Sequence, residues 1–163
     1  MEYITLAKAL TIKNRMTRKM KSLLTEVGAC NLYVSGKTPE IPVKEFYQEA
    51  CKISDELVKI KTKIEEANLP VKAKIFTLGE LKSRLAFLKT LDVNSNPQKQ
   101  PYLYSLRASA SETKEYSAVI DRAEVNKLLS EIQAEIDNLQ DELNTFNSNT
   151  TVDVSDICTE GLN

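Results

Sequence analysis

The fold is decided by residues 121–147, which read DRAEVNKLLSEIQAEIDNLQDELNTFN. The apolar residues of this stretch recur at alternating steps of four and three: Val125, Leu129, Ile132, Ile136, Leu139, Leu143 and Phe146. That spacing is typical of one long helix with a narrow apolar stripe, as in a coiled coil. Asp121, followed three residues later by Glu124, matches a capping box and predicts where the helix begins.

The same spacing predicts two more long helices upstream. The first runs from about Thr5 into the low thirties, with Lys13 in one slot of the stripe Leu6, Ala9, Met16, Met20, Leu23, Val27 and Cys30. The second runs from about Pro42 to Ala67 along the stripe Val43, Phe46, Ala50, Ile53, Leu57, Ile60, Ile64 and Ala67. Asn68 is expected to adopt a left-handed conformation after it, and Pro70 is expected to prevent its continuation.

A shorter helix and two irregular segments complete the chain. Thr77 and Glu80 match a second capping box, at the start of the stripe Leu78, Leu81, Leu85, Leu88 and Leu91. Alternating apolar residues within 102–120 predict a small β-hairpin, and an extended ordered loop is the alternative. Alternation of Val152, Val154 and Ile157 fits one short strand, and otherwise residues 148–163 form a C-terminal tail.

These elements predict an all-α fold in a single domain over residues 1–163. The expected architecture is an elongated antiparallel bundle of three long helices and one short helix, with an extended or hairpin insertion around residues 102–120. At about 1.5 Å per residue the third helix spans about 21 Å and the second and fourth about 39 Å each, which leaves apolar surface uncovered. A homodimer is therefore favoured. The alternative is a monomer whose 102–120 segment folds over the gap.

The composition excludes several kinds of chemistry. None of the 163 residues is a histidine, which excludes Ser–His–Asp and Cys–His catalysis, histidine-containing zinc sites and ferritin-like di-iron sites. No catalytic, metal-binding or cofactor-binding residue is assigned, and the chain is predicted not to be an enzyme. With 22 basic and 23 acidic residues and a net charge of −1, the whole molecule is not an electrostatic binder of nucleic acid.

The cysteines and the apolar runs predict the compartment. Cys30, Cys51 and Cys158 are far apart and odd in number, which is typical of the reducing cytosol. Cys30 and Cys51 are expected to be buried structural thiols, and the alternative is that they approach each other across the first loop. No run approaches the roughly 18 apolar residues of a membrane span. The sequence therefore predicts a cytoplasmic protein that does not span a membrane.

One candidate site is a basic patch on the first helix formed by Lys13, Arg15, Arg18 and Lys19. Such a patch is typical of contacts with nucleic acid or an anionic membrane. The favoured alternative is that this basic helix faces the acidic fourth helix. On that fourth helix, Glu131 and Glu135 lie one turn apart and could hold a hard cation, although a solvated face is favoured.

A second candidate site is a ligand loop formed by Arg107, Ser109, Ser111 and Glu112, the densest polar cluster outside the helices. Irregular segments on a rigid scaffold often carry function. An ordinary solvated loop is the alternative.

Five short motifs follow one another along the chain: LAKAL at 6–10, KIEEAN at 63–68, TLGEL at 77–81, RASASE at 107–112 and ELNTFN at 142–147. In this order they resemble the DIP1984-like family of small bacterial proteins of unknown function, some of which carry the name septicolysin. The resemblance implies an all-helical fold and brings no established biochemical role. Relatives often have Trp after the final Asn of the last motif, where this chain has Ser148.

The function predicted from these observations is a non-enzymatic helical module that self-associates and serves a structural or interaction role. Its partner would be a second copy or an unidentified protein. The alternative function is a basic-surface binder of nucleic acid or anionic membrane through the first helix.

Overall fold

The chain is mostly helical in the computed structural model, which describes residues 2–39, 41–93 and 118–158. Its elements in chain order are β1 (Tyr3–Thr5), α1 (Leu6–Cys30), α2 (Val43–Asn68), a 3-10 turn (Leu69–Val71), α3 (Lys72–Thr90), α4 (Arg122–Asn149) and β2 (Thr151–Asp153). The predicted all-α class is confirmed, with a small two-stranded antiparallel sheet added to it. Among the described residues, no helix is long and apolar enough to cross a membrane.

The chain divides into two compact units. The first comprises Met1–Ala73 together with Glu142–Asn163, and the second comprises Lys74–Asp141. The prediction of a single domain over residues 1–163 stays a prediction.

The core of the first unit is formed by the predicted stripes of α1 and α2. The largest fully buried side chains are Leu6, Met16, Ile60 and Val154, and burial of each contributes about 1.5–3 kcal/mol. On α1 the core uses Ile12, which is buried, rather than the half-buried Lys13 of the predicted stripe. The buried residues of α1 therefore follow the helical period of 3.6 residues per turn, and the ammonium of Lys13 stays near water.

The small sheet joins the two ends of the chain. Ile4 of β1 lies opposite Val152 of β2, and both side chains are buried. The Leu6 N–H donates to the Thr150 carbonyl at 2.8 Å, and the Val154 N–H donates to the Glu2 carbonyl at 2.8 Å. The short strand predicted near Val152 is confirmed. Its partner β1 was missed because three residues with one buried side chain give no periodic signal.

The core of the second unit lies between α3 and α4. Its buried residues come from the predicted stripes of both helices: Leu81, Leu88, Ile132 and Ile136. Partly buried residues surround them: Leu78, Leu85, Leu91, Leu128, Leu129 and Leu139.

Helix α2 ends at Asn68, two residues before Pro70, as predicted. Two other predictions about the start of α3 are wrong. Asn68 has φ −81 and is right-handed, so with Pro70 in the 3-10 turn the chain reaches α3 without leaving right-handed geometry. Proline is tolerated there because the first turn of a helix needs no N–H from it. Since α3 begins at Lys72, Thr77 lies inside the helix and is not a cap. At 19 residues α3 spans about 28 Å rather than about 21 Å.

The hairpin or loop predicted over 102–120 lies mostly outside the described residues. Residues 118–120 are described, and Val119 is almost fully exposed in a bend before α4. The predicted start of α4 is confirmed, because Oδ1 of Asp121 accepts the Glu124 N–H at 2.8 Å.

Candidate functional site

Two open cavities lie at the loop between α1 and α2. One cavity has a volume of about 530 Å³ and is lined by residues such as Cys30, Tyr33, Ile41 and Val43. A smaller one of about 300 Å³ shares Cys30 and Tyr33 with it. The larger volume lies within the range of small-molecule sites. Lys44 and Glu45 also line the larger cavity, so its charged groups are of opposite sign.

A tight turn shapes this loop. The Lys37 N–H donates to the Val34 carbonyl at 3.0 Å, and Gly36 between them has φ +86, which favours glycine. The turn leaves Leu32 at 90% exposure, beside the exposed Tyr33 and Val34. Sequence reasoning missed the cavity; the signal that was available is the apolar run Leu32–Val34 within a loop.

The predicted basic patch is only partly assembled. Arg15, Arg18 and Lys19 are exposed and follow one another at the spacing of a single helix face. Lys13 is half-buried and, two positions before Arg15, lies across the helix from it. Lys19 forms an ion pair with Glu49 of α2 at 2.6 Å, so part of the patch already meets an acid on the neighbouring helix.

Glu131 and Glu135 lie on an exposed face of α4, as favoured over a cation site, and the acid that Lys19 meets lies on α2 rather than on this fourth helix as predicted. Glu131 and Glu135 are both exposed, and Glu131 lies 3.9 Å from Lys127 in an exposed ion pair. Within residues 2–39, 41–93 and 118–158, no group of three or more cysteine or carboxylate side chains is arranged to hold a metal ion.

The predicted ligand loop of Arg107, Ser109, Ser111 and Glu112 lies outside the described residues. It stays a prediction.

The cysteines differ from the prediction of buried thiols. Cys51 and Cys158 are exposed, Cys30 is half-buried at the cavity wall, and all three are free. The prediction is wrong for Cys51, because this residue lies on the solvent side of α2.

The C-terminal residues are fastened to α2 by a set of charged groups, called here the C-terminal clasp: Glu56, Lys59, Lys63, Asp153 and Asp156. Lys63 Nζ donates to the Asp153 carbonyl at 2.8 Å and also to Asp156 Oδ1. Lys59 Nζ donates to Glu56 Oε1 at 2.7 Å and to the Asp156 carbonyl at 3.3 Å. Glu56 Oε2 accepts the Cys158 N–H at 3.0 Å.

Four of these groups, Glu56, Lys59, Asp153 and Asp156, have pKa values shifted toward their charged forms. The hydrogen bond between Lys59 and Glu56 lowers the pKa of the carboxyl and raises the pKa of the ammonium. The bond from Lys63 lowers the pKa of Asp156, and the hydroxyl of Ser155 lowers the pKa of Asp153. The carboxylates of Glu56 and Asp156 therefore hold the segment to α2 as anions, and that of Asp153 accepts hydrogen bonds from Ser155 within the segment, which is a structural role.

A second row of side chains runs along the solvent side of α2. This outer row consists of Tyr47, Cys51, Ser54 and Val58, spaced four, three and four apart and all exposed. Tyr47 is 55% exposed and Val58 is 63% exposed. The spacing places the row on one helix face, separate from the buried stripe of Ile53, Leu57 and Ile60.

No family model, curated protein or solved structure matches the chain. The resemblance to the DIP1984-like family therefore stays a prediction.

Proposed function

We propose that the chain is a non-enzymatic, cytoplasmic helical module of the DIP1984-like kind, which self-associates as a homodimer and serves a structural or interaction role. Its proposed architecture is the elongated antiparallel bundle predicted from the sequence. Three free cysteines support a reducing compartment.

The observation that carries the proposal is the outer row of α2. Helix α2 buries one apolar stripe in its own core and presents a second, uncharged row to water. Exposed apolar side chains scattered singly are ordinary, whereas a row at helical spacing is typical of a helix that pairs with another helix. A second copy is the occupant proposed here, because a two-fold interface needs only this one surface.

The test is the solution mass by light scattering after size exclusion, at low and at high salt. We expect a dimer at both salts, because burial of apolar side chains does not depend on screening of charges. A monodisperse monomer with a folded core would overturn self-association.

A second candidate function, supported by the exposed face of Arg15, Arg18 and Lys19, is binding of nucleic acid or anionic membrane. The variant Arg15→Gln, Arg18→Gln, Lys19→Gln would abolish a salt-sensitive gel shift or liposome pull-down. The matched control neutralises Lys82, Arg84 and Lys89, which are exposed on α3. Absence of binding by the wild-type chain at low salt would end this candidate.

A further inference from the structure

The larger cavity at the loop between α1 and α2 has an apolar wall with charged side chains beside it. The ring of Tyr33 and the half-buried Ile41 and Val43 line the apolar wall. Lys44 and Glu45 also line the cavity, and both side chains are exposed. A volume of about 530 Å³ with mostly apolar walls and a few polar groups is typical of a small-molecule site.

The loop that carries these walls is constrained by its own sequence. Pro39 and Pro42 both line the cavity, and the proline ring fixes φ at each of them. The hydrogen bond from the Lys37 N–H to the Val34 carbonyl closes a turn in the same loop. A cavity whose walls are held in this way loses less conformational entropy when a ligand binds.

The two charges of the cavity do not neutralise each other. Lys44 and Glu45 are consecutive, and consecutive residues of a helix do not face each other. Within the described ranges, neither side chain forms an ion pair with another residue. A ligand with one charge would therefore meet an opposite and a like charge together, whereas a ligand with both charges pairs with each in turn.

The start of α2 adds hydrogen-bond donors at the same place. The Val43 N–H donates to the Ile41 carbonyl at 2.9 Å, and Pro42 at the N-cap supplies no side-chain acceptor. The N–H groups of Lys44 and Glu45 belong to the first turn and have no acceptor within the helix. These donors and the positive end of the helix dipole favour a carboxylate beside the Lys44 ammonium.

We infer that the larger cavity binds a small zwitterion with an apolar side chain, of the class of the apolar α-amino acids. The carboxylate of the ligand lies beside Lys44 and the first turn of α2, and its ammonium lies beside Glu45. Its side chain packs against Tyr33 and Ile41. The inference goes beyond the proposed function and does not depend on self-association.

The first test uses the three native thiols of the full chain, with L-phenylalanine and L-leucine as probes. Cys30 lines the cavity, whereas Cys51 and Cys158 are exposed elsewhere, on α2 and near the C-terminus. We expect either amino acid at millimolar concentration to slow alkylation of Cys30 by iodoacetamide and to leave the other two rates unchanged. Mass spectrometry of the digested chain measures the three rates. Alkylation of Cys30 at the same rate with and without both probes would overturn the inference.

Analogues of the probe test which of its groups are recognised. Glycine lacks the apolar side chain, 3-phenylpropionate lacks the ammonium and 2-phenylethylamine lacks the carboxylate. Each is expected to protect Cys30 less than L-phenylalanine does, because each leaves the apolar wall or one charge of the cavity unmatched. Protection by 3-phenylpropionate as strong as that by L-phenylalanine would show that the cavity takes a simple carboxylate, and would overturn the zwitterion.

Charge variants test which side chain meets which group of the ligand. Lys44→Gln and Glu45→Gln are each expected to weaken binding of L-phenylalanine by about two- to fivefold, because one ion pair is lost in an open site. Glu45→Gln should strengthen binding of 3-phenylpropionate, and Lys44→Gln that of 2-phenylethylamine, because a like charge is removed. Lys52→Gln and Asp55→Asn, at exposed positions further along α2, are the matched controls. Equal effects of the control and cavity variants would overturn the assignment of these charges.

The outcomes are separate from those of the proposed function. A monomeric chain in which L-phenylalanine protects Cys30 would overturn self-association and leave this inference standing. A dimer in which neither amino acid protects Cys30 would do the reverse.

Discussion

Asp121 determines where α4 begins through a single hydrogen bond. Its Oδ1 accepts the Glu124 N–H at 2.8 Å and so satisfies one of the free donors of the first turn. We expect Asp121→Ala to lower the free energy of unfolding by about 1 kcal/mol, and Asp121→Asn to change it by only a few tenths. Urea unfolding followed by circular dichroism measures both. Equal losses in the two variants would show that the cap is not the cause.

Substitution by alanine is expected to change the free energy of unfolding in opposite directions at two glycines. Gly36 has φ +86, where a side chain is strained, so Gly36→Ala should lower the free energy of unfolding by about 1–2 kcal/mol. Gly79 lies inside α3 with open space around it, so Gly79→Ala should raise the same free energy by about 0.5–1 kcal/mol. The comparison of midpoints in urea tests the pair. Stabilisation by Gly36→Ala would contradict the left-handed geometry of the turn.

At the scale of elements, the C-terminal clasp makes the first unit sensitive to acid. The pKa values of Glu56, Asp153 and Asp156 are lowered in the folded chain, so their contribution is fully present above the unfolded values of about 4 and is lost as pH falls through the folded ones. Lys59, whose pKa is raised, contributes below about 10.4 and loses its effect as pH rises through its folded pKa. The free energy of unfolding should therefore be level near neutral pH and fall toward acid.

The variant Lys63→Met tests which groups cause this acid sensitivity. It removes the donor to the Asp153 carbonyl and to Asp156 Oδ1 while keeping the length of the side chain. We expect it to be less stable than wild type at pH 7, with the difference shrinking as pH falls below about 4 because Asp156 becomes protonated in both. Lys61→Met, at an exposed position of the same helix, is the control. A difference between Lys63→Met and wild type that persists undiminished in acid would assign it to the bond with the Asp153 carbonyl or to packing, and not to the charge of Asp156.

The helices could be predicted from sequence because their buried residues repeat with the period of the helix. The stripes of α2 and α4 match the buried residues Ile53, Leu57, Ile60, Ile132 and Ile136. The start of α3 could not be predicted, because Thr77–Glu80 has the form of a cap wherever it occurs, and only packing decides whether the chain before it is already helical.

The clasp and the cavity depend on contacts between residues far apart in the sequence. Lys63 and Asp156 are 93 positions apart, so no local sequence pattern predicts that they form a pair. The cavity wall joins the end of α1 to the start of α2 across a loop with no periodic pattern. The outer row of α2 was not predicted either, because spacings of four, three and four define a surface only when the structure shows which face of the helix is exposed.

At the scale of the whole molecule, two cores share continuous helices. The division between the units falls after Ala73 within α3 and after Asp141 within α4. Because helix formation is cooperative along the chain, loss of either core should shorten the helices that the other core needs. We therefore expect the chain to unfold in one transition, as the predicted single domain requires.

Matched core variants test this cooperativity. Ile60 is 0% exposed in the first core and Leu88 is 8% exposed in the second, so Ile60→Ala and Leu88→Ala should each cost about 2–5 kcal/mol. If the units unfold together, each variant lowers the stability of both cores equally, and amide exchange of Leu57 and of Leu81 is accelerated to the same extent. If Ile60→Ala accelerates exchange at Leu57 and leaves Leu81 unchanged, the units unfold separately. The chain would then consist of two domains, and the dimer surface on α2 would belong to the first of them alone.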